Sequence, residues 1–170
     1  EKIVDRFFDE GLITDPASLF ELKREDIARL ERFGEKSAEN IISTIASRKR
    51  IELNRFLFAL GISHVGEETA RDLAEWIATT ASEKKEISPK KIGEFFSHRS
   101  DESLQELPNI GPMIAKSIVE WFHDRENRRI VERLQEVGVR IKNLSAEGGS
   151  AFGGQSQIKN LKLKGLSLVF

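Results

Sequence analysis

The chain has 170 residues, of which 39% are hydrophobic and 32% charged, and its formal net charge is −1. This length can bury a sizeable core, and the absence of cysteine excludes disulfides, thiol nucleophiles and cysteine-ligated metal sites. No apolar run approaches the ~18 residues that a membrane span needs, and we expect no signal peptide. The near-neutral charge argues against a partner that is held by a strong basic field alone.

Apolar residues recur at helical spacing through most of the chain, whereas strand signals are nearly absent before residue 139. Gly11 is predicted to end the first helix, and Asp15 and Pro16 to be the N-cap and first residue of the second. In chain order, we predict helices over 1–11, from 15 onwards, and over 23–32, 37–49, 54–60, 69–81, 90–97, 103–107, 113–124 and 125–137.

The composition changes after residue 142. Glycine, serine and glutamine dominate residues 143–160, which predicts a flexible linker, and residues 161–170 are typical of the opening strand of a further domain. The last twenty residues carry three lysines and no acid, so the first 150 carry 24 basic and 28 acidic side chains. Because the sequence starts at Glu1 and stops within an apolar run, we expect a fragment of a longer protein.

Three segments of the chain repeat one pattern. Residues 30–38, 62–70 and 107–115 each contain two apolar residues three positions apart, then glycine, then alanine four positions later. Residues 1–4 fit the second half of a fourth copy. Glycine would give the turn an unusual backbone conformation and let a ligand approach closely. The first amides of the next helix have no internal partner, so they and the helix dipole favour an anion.

The repeated pattern resembles the helix-hairpin-helix motif, which contacts the phosphate backbone of DNA in the minor groove. The stretch 55–70 is similar to the "FALGI-x-x-VGE-x-x-A" segment of bacterial NAD⁺-dependent DNA ligases, and residues 107–112 to their "LPGIGP" hairpin. Residues 163–170 resemble the first strand of the BRCT domain of those ligases. The resemblance implies an all-α fold of tandem hairpins in (HhH)2-type units over 1–142, a flexible linker over 143–160 and a truncated BRCT strand over 161–170.

The resemblance implies a parent enzyme that uses NAD⁺, Mg²⁺ and structural Zn²⁺ to seal nicks in duplex DNA during replication and repair. The nucleotidyltransferase domain, the oligonucleotide-binding fold and the zinc finger of that family have no counterpart here, so no catalytic, cofactor or metal residue is assigned. Arg32, His64 and Asn109 stand where many such hairpins carry an additional glycine. We expect Arg32 and His64 to avoid positive φ, whereas Asn109 tolerates it.

The predicted DNA contacts are backbone amides and three side chains at the hairpins. Pro112 has no amide hydrogen, so the third hairpin offers one donor fewer. Lys36, Arg71 and Lys116 follow a hairpin glycine by two or five residues; a solvated helix face is the alternative for Arg71 and Lys116. The predicted amide donors are Gly34, Glu35, Lys36, Gly66, Glu67, Glu68, Gly111 and Met113.

Other features favour structural explanations. Glu67 and Glu68 suit the first turn of a helix better than a paired-carboxylate site. The three histidines share no metal-ligand spacing. Trp76, Trp121 and the phenylalanines fall on apolar helix faces. Arg55 and the run 48–50 are weaker DNA candidates.

We expect nicked double-stranded DNA and other domains of the parent ligase as partners, no membrane, and a monomeric fragment in the bacterial cytoplasm at the nucleoid. Two alternatives stay open. One is a helix-hairpin-helix module of a non-ligase repair or recombination protein, and the other is a helical protein–protein interaction module, which the acidic body favours.

Overall fold

The computed structural model describes residues 2–80, 85–143, 160–163 and 166–169. Most of the predicted linker (143–160) lies outside these residues. Helices are α1 (Lys2–Asp9), a 3-10 helix (Ser18–Glu21), α2 (Arg24–Ala28), α3 (Glu35–Ser47), α4 (Leu53–Ala59), α5 (Glu67–Thr80), α6 (Pro89–Ser97), α7 (Asp101–Gln105), α8 (Pro112–His123) and α9 (Arg125–Glu136). Strands are β1 (Arg50–Glu52), β2 (Glu86–Ile87), β3 (Arg140–Lys142), β4 (Asn160–Leu163) and β5 (Leu166–Val169). The mostly helical prediction is confirmed.

Polar side chains start several helices where the sequence indicates. Ser88, Ser100 and Asp124 accept hydrogen bonds from the backbone amides of Lys91, Ser103 and Asn127 at the starts of α6, α7 and α9. The prediction of Asp15 as N-cap and Pro16 as first helical residue is wrong, because the helix begins at Ser18 and its N-cap is Ala17. Asp15 Oδ1 nevertheless accepts a hydrogen bond from the Ser18 amide at 2.9 Å, just before that helix. The helix that follows is a single 3-10 turn rather than an α-helix.

The helices pack around two hydrophobic cores. The smaller core lies among α1, α2 and α3. It consists of Val4, Phe7, Ile13, Leu19, Ile27, Ala38 and Ile45. The larger core lies among α4–α9, where the Phe96 and Phe122 rings stack with centroids 4.5 Å apart. Trp76 and Trp121 pack against this larger core, as their place on apolar helix faces predicts.

The segment between α1 and α2 joins the units that these cores define. Ala17 is buried in the larger core, and Phe20 packs against both cores. Arg133 of α9 pairs with Asp15, which precedes the 3-10 helix, and with Glu21, the last residue of that helix. Helix α9 is therefore held against the first unit as well as within the second.

A small sheet, missed from the sequence, closes the second unit. β3 is central, with β1 parallel to it and β2 antiparallel. Ile141 is aligned with Ile51 on one side and Ile87 on the other, and Ile141 and Ile87 are buried. Strands of two or three residues are too short to show alternation, so β1 and β2 leave no recognisable pattern in the sequence.

The end of the chain differs in detail from the predicted single strand over 161–170. Two strands, β4 and β5, pair antiparallel in the register Asn160 with Val169 and Leu163 with Leu166. A lone strand leaves its backbone donors and acceptors unpaired, and pairing with its own continuation satisfies one edge.

Candidate nucleic-acid interface

The three repeated segments form the same turn. In each, the amide of the second apolar residue donates to the carbonyl of the first: Phe33 to Leu30 at 3.1 Å, Val65 to Ile62 at 3.1 Å and Ile110 to Leu107 at 3.3 Å. The third residue of each turn has positive φ and the second does not, which is typical of a type II turn. The sequence repeat is thus a repeat of backbone geometry.

The left-handed residues of these turns correct one prediction. Arg32 has φ of 72°, His64 of 66° and Asn109 of 66°. The expectation that Arg32 and His64 avoid positive φ is wrong, whereas Asn109 behaves as expected. The type II turn requires this conformation at its third residue. The apolar first and fourth residues of each turn pack against the cores and hold the turn despite the steric cost to a side chain. They are buried at Ile62, Val65 and Ile110 and partly buried at Leu30, Phe33 and Leu107.

The repeated glycines correct a second prediction. Gly34 and Gly111 have φ of −92° and −81°, which is ordinary extended backbone, and Gly66 is not left-handed either. A Cβ atom added at any of the three would meet nothing within 4 Å. Neither the backbone conformation nor internal packing therefore requires glycine. What the missing side chain leaves open is access from outside the chain.

The repeated alanines have an internal reason. Ala38, Ala70 and Ala115 are fully buried, and their amides donate to the carbonyls of Gly34, Gly66 and Gly111 at 2.9–3.0 Å. Each bond closes the first turn of the second hairpin helix. A small side chain at this position lets that helix pack closely behind the turn.

The first amides of the hairpin helices have no side-chain cap. Gly34 and Gly111 are the N-caps of α3 and α8 and offer no side-chain hydrogen bond, as is also true at the short α2 and α4. The capped starts of α6, α7 and α9 show the usual alternative. Orphan amides at an exposed glycine are donors available to an anion.

Hairpins two and three lie beside each other. The Asn109 side-chain Nδ2 donates to Asp72 Oδ2 at 3.2 Å, which joins the turn of hairpin three to helix α5 of hairpin two. Sequence reasoning missed Asp72. The only sign in the sequence is that Asp72 lies six residues after Gly66, on the helix that follows this glycine.

The predicted basic side chains near these turns differ in whether they form ion pairs. Lys36 is exposed and takes part in no ion pair among the described residues. Arg71 pairs with Glu68 at 3.8 Å and Lys116 with Glu120 at 3.7 Å, and all four side chains are more than half exposed. Exposed pairs of this kind contribute little and exchange readily for another anion.

The other predicted positions differ between hairpins. Glu67 and Glu68 are exposed in the first turn of α5, where the dipole favours acids. Hairpin three has no acid there; Pro112 opens its helix and Met113 is 65% exposed. Residue Glu1 of the truncated hairpin lies outside the described residues, and α1 begins directly after it.

The weaker basic candidates lie elsewhere. Arg48 is the C-cap of α3, a position where a cation is favoured by the dipole. Arg50 lies on β1 opposite Arg140, and Arg55 pairs with Glu52 at 3.7 Å.

The described residues form no cluster that could hold a metal ion. No group of three His, Asp or Glu side chains that could hold a metal occurs among residues 2–80 and 85–143. His98 and His123 each hydrogen-bond a backbone carbonyl one turn earlier, those of Glu94 and Val119. A hydrogen bond from its own backbone amide, helped by Ser100, lowers the pKa of the exposed Glu102 and so keeps it anionic. None of the described helices is long and apolar enough to cross a membrane.

Comparison with known proteins finds two motif families and one group of relatives. Residues 1–47 match a SAM-like helix-hairpin-helix tandem, and residues 91–131 match a helix-hairpin-helix motif. The segment 62–70 lies between the two. Proteins named DNA ligase from Methylacidiphilum infernorum, Koribacter versatilis and Halothermothrix orenii are 33%, 36% and 38% identical over 92%, 92% and 99% of this chain. The aligned region is 21%, 21% and 22% of each, so the chain spans about a fifth of the length of these curated relatives.

Proposed function

We propose that this chain, a homologue of the helix-hairpin-helix region of DNA ligases, binds the sugar–phosphate backbone of duplex DNA from the minor groove without reading its sequence. One observation carries the proposal. Each of the three repeated turns is followed by a glycine whose missing side chain no internal contact explains, and a helix begins at that glycine. Gly34 and Gly66 are exposed and Gly111 is partly exposed.

The proposed contacts are hydrogen bonds from amides to phosphate oxygens. At each hairpin a phosphate would approach the bare glycine backbone and accept from the amides of the first helical turn, where the dipole also favours negative charge. The donors are those at Gly34, Glu35 and Lys36, at Gly66, Glu67 and Glu68, and at Gly111 and Met113. Contacts to phosphates fix position but carry no base information, which suits an enzyme that acts at nicks in any sequence.

Side chains would add charge at the edges of the hairpins. Lys36 is available as it stands, whereas Arg71 and Lys116 would exchange their carboxylate partners for phosphates. Each phosphate neutralised makes binding more dependent on salt. The first 150 residues are net acidic, so we expect modest affinity from the chain alone, with other domains of a longer ligase adding to it.

We further propose that the parent protein is an NAD⁺-dependent ligase that joins 3′-hydroxyl and 5′-phosphate ends at nicks, in the bacterial cytoplasm at the nucleoid. NAD⁺, Mg²⁺ and Zn²⁺ would belong to other parts of it. The chain has no cysteine that could ligate a structural zinc ion, which supports placing the zinc site elsewhere in the parent. The role left to this region is to hold the duplex, as a monomer within the larger enzyme.

A titration of the 170-residue chain with labelled nicked duplexes of two unrelated sequences, each at two salt concentrations, tests the proposal. We expect equal affinity for the two sequences and weaker binding at the higher salt. A tenfold preference for one sequence would contradict backbone binding.

A protein–protein interaction module is the second candidate, because the body of the chain is acidic. It predicts no binding to either duplex at micromolar protein, with the hairpins serving only for packing. The open space at all three glycines argues against it, since packing alone does not need them.

A further inference from the structure

The first half of helix α9 carries three arginines and one acid, near the positive end of the helix dipole. These residues are Arg125, Arg128, Arg129 and Glu126. The dipole favours acids rather than bases at this end of a helix. The arrangement therefore calls for a reason outside the helix.

The three arginines at the start of α9 are unpaired. Arg125, Arg128 and Arg129 are all exposed, and none takes part in an ion pair or ring contact among the residues that the structure describes. The next arginine along the helix, Arg133, behaves differently, because it pairs with Asp15 and Glu21 of the first unit. Arg133 thus holds the helix in place while the other three are left available.

These arginines line an open groove between the two units. The groove has a volume of about 1010 Å³, and its opposite wall is formed by Phe8, Thr14 and Pro16 of the first unit. Of the acids in its lining, Asp15 is paired with Arg133, which also pairs with Glu21, and Glu126 and Glu132 lie on α9 itself. The N-terminal half of the groove is accordingly the positive half.

We propose that this groove is a second contact surface for the phosphodiester backbone of DNA, separate from the hairpins. The inference rests on the proposed function, because it extends the same duplex beyond the hairpin turns. Arginine presents a planar fork that suits phosphate oxygens. With a rise of about 1.5 Å per residue, Arg125 and Arg129 are about 6 Å apart along the helix axis. Two nucleotide steps of one strand advance about 7 Å along the duplex, so Arg125 and Arg129 can meet phosphates two nucleotides apart where the helix runs along the strand.

The groove would act by charge, so its contribution is measurable as salt dependence. Each phosphate that an arginine neutralises adds close to one unit to the slope of log affinity against log salt. A hairpin that binds mainly through neutral amides adds affinity with a smaller change in slope. The two surfaces therefore have different signatures in one titration.

The test compares the 170-residue chain with the triple variant Arg125→Gln/Arg128→Gln/Arg129→Gln on one nicked duplex across a salt series. Glutamine keeps helix propensity, so the circular dichroism of the variant should match that of the unmodified chain. We expect a slope shallower by about two to three and affinity at least tenfold lower at low salt. The variant with lysine at the same three positions should recover most of the slope.

A matched control removes charge elsewhere. Lys90 and Lys91 are exposed on α6 and do not line the groove, so Lys90→Gln/Lys91→Gln should change the slope by less than one. An equal effect per charge in this control would overturn the groove contact in favour of a general charge effect. Removing the acids of the groove, in Glu126→Gln/Glu132→Gln, should strengthen binding.

The outcomes separate the groove from the hairpins. If the triple arginine variant keeps both affinity and slope while Gly111→Ala weakens binding, the groove inference alone is overturned. If the unmodified chain binds no duplex at low salt, the proposed function fails. Displacement of the duplex by millimolar inorganic phosphate at matched ionic strength would assign the arginines to a free anion. Equal competition by a polyglutamate peptide would assign them to an acidic protein segment, and either result overturns the backbone contact.

Discussion

At the repeated turns the residues with positive φ are not the glycines, although glycine tolerates positive φ best. Gly34 and Gly111 adopt backbone angles open to any residue, while Arg32 and His64, two positions before a glycine, adopt the angles that glycine favours. The turns therefore carry a steric cost at residues other than glycine, whereas neither the backbone conformation nor internal packing requires the repeated glycines. We therefore assign these glycines to contact with a partner.

Alanine at Gly111 separates binding from folding. The added Cβ meets nothing within 4 Å and φ is −81°, so Gly111→Ala should change the free energy of unfolding by less than about 1 kcal/mol. If a phosphate approaches this backbone, affinity for nicked duplex should fall about tenfold, the equivalent of one charge-assisted hydrogen bond. Thermal unfolding and fluorescence anisotropy measure the two effects.

Gly138→Ala is the matched control for that variant. Gly138 follows α9 with φ of 85°, so alanine there should destabilise the fold by about 1 kcal/mol and leave the affinity of the folded chain unchanged. Loss of affinity in Gly138→Ala but not in Gly111→Ala would contradict the assignment.

Glycine at Arg32 should stabilise the first unit. A non-glycine residue at φ of 72° carries a steric cost of about 1–2 kcal/mol, and the greater freedom of glycine in the unfolded chain offsets part of it. We expect Arg32→Gly to raise the unfolding free energy by about 0.5–1 kcal/mol in urea titrations. Glu31→Gly, one residue earlier and not left-handed, should lower it; a gain in both variants would show that turn strain is not the cause.

At the scale of elements, the joint between the two units depends on α9. Its inner side packs Val131 and Leu134 into the fold, Arg133 reaches the first unit, and its exposed side carries the unpaired arginines. The sequence predicted the helix and its end near Val137, because the apolar spacing is clear. It could not predict the partners of Arg133, since Asp15 and Glu21 lie more than a hundred residues away along the chain.

Arg133→Ala tests this joint. The side chains of Arg133 and Asp15 are 26% and 21% exposed, so the pair is shielded enough to matter. We expect a loss of about 1–2 kcal/mol in the free energy of unfolding by urea, because Asp15 is left without its partner in a partly buried site. Arg128→Ala, on the exposed side of the same helix, should cost less than about 0.5 kcal/mol. Equal costs would mean that Arg133 does not join the units.

The hairpins show how far sequence reasoning reaches at this scale. The spacing of apolar residues, glycine and alanine predicted all three turns and the helices that follow. It could do so because the buried alanines and the apolar residues recur at fixed positions in each segment. The short sheet escaped, since pairing of Ile51 and Ile87 with Ile141 depends on contacts that no local pattern records. The contact between hairpins two and three, through Asn109 and Asp72, could not be predicted for the same reason.

For the whole molecule, the positions of the charged side chains say more about binding than the net charge does. A formal net charge of −1 excludes binding through a global basic field. Local cations are still available, at Lys36 beside the first hairpin and at three exposed arginines in the first half of α9. Two cores, each behind at least one hairpin, hold these surfaces on rigid helices. The net charge by itself would not have predicted the binding to the DNA backbone that the repeated turns indicate.

The most direct test of this account is the affinity of Gly34→Ala/Gly66→Ala/Gly111→Ala for nicked duplex at low salt, measured by anisotropy beside the unmodified chain. Because each hairpin is expected to contribute about tenfold, the account predicts binding at least a hundredfold weaker, with helical circular dichroism unchanged. Affinity within twofold of the unmodified chain would contradict the claim that these glycines admit the DNA backbone.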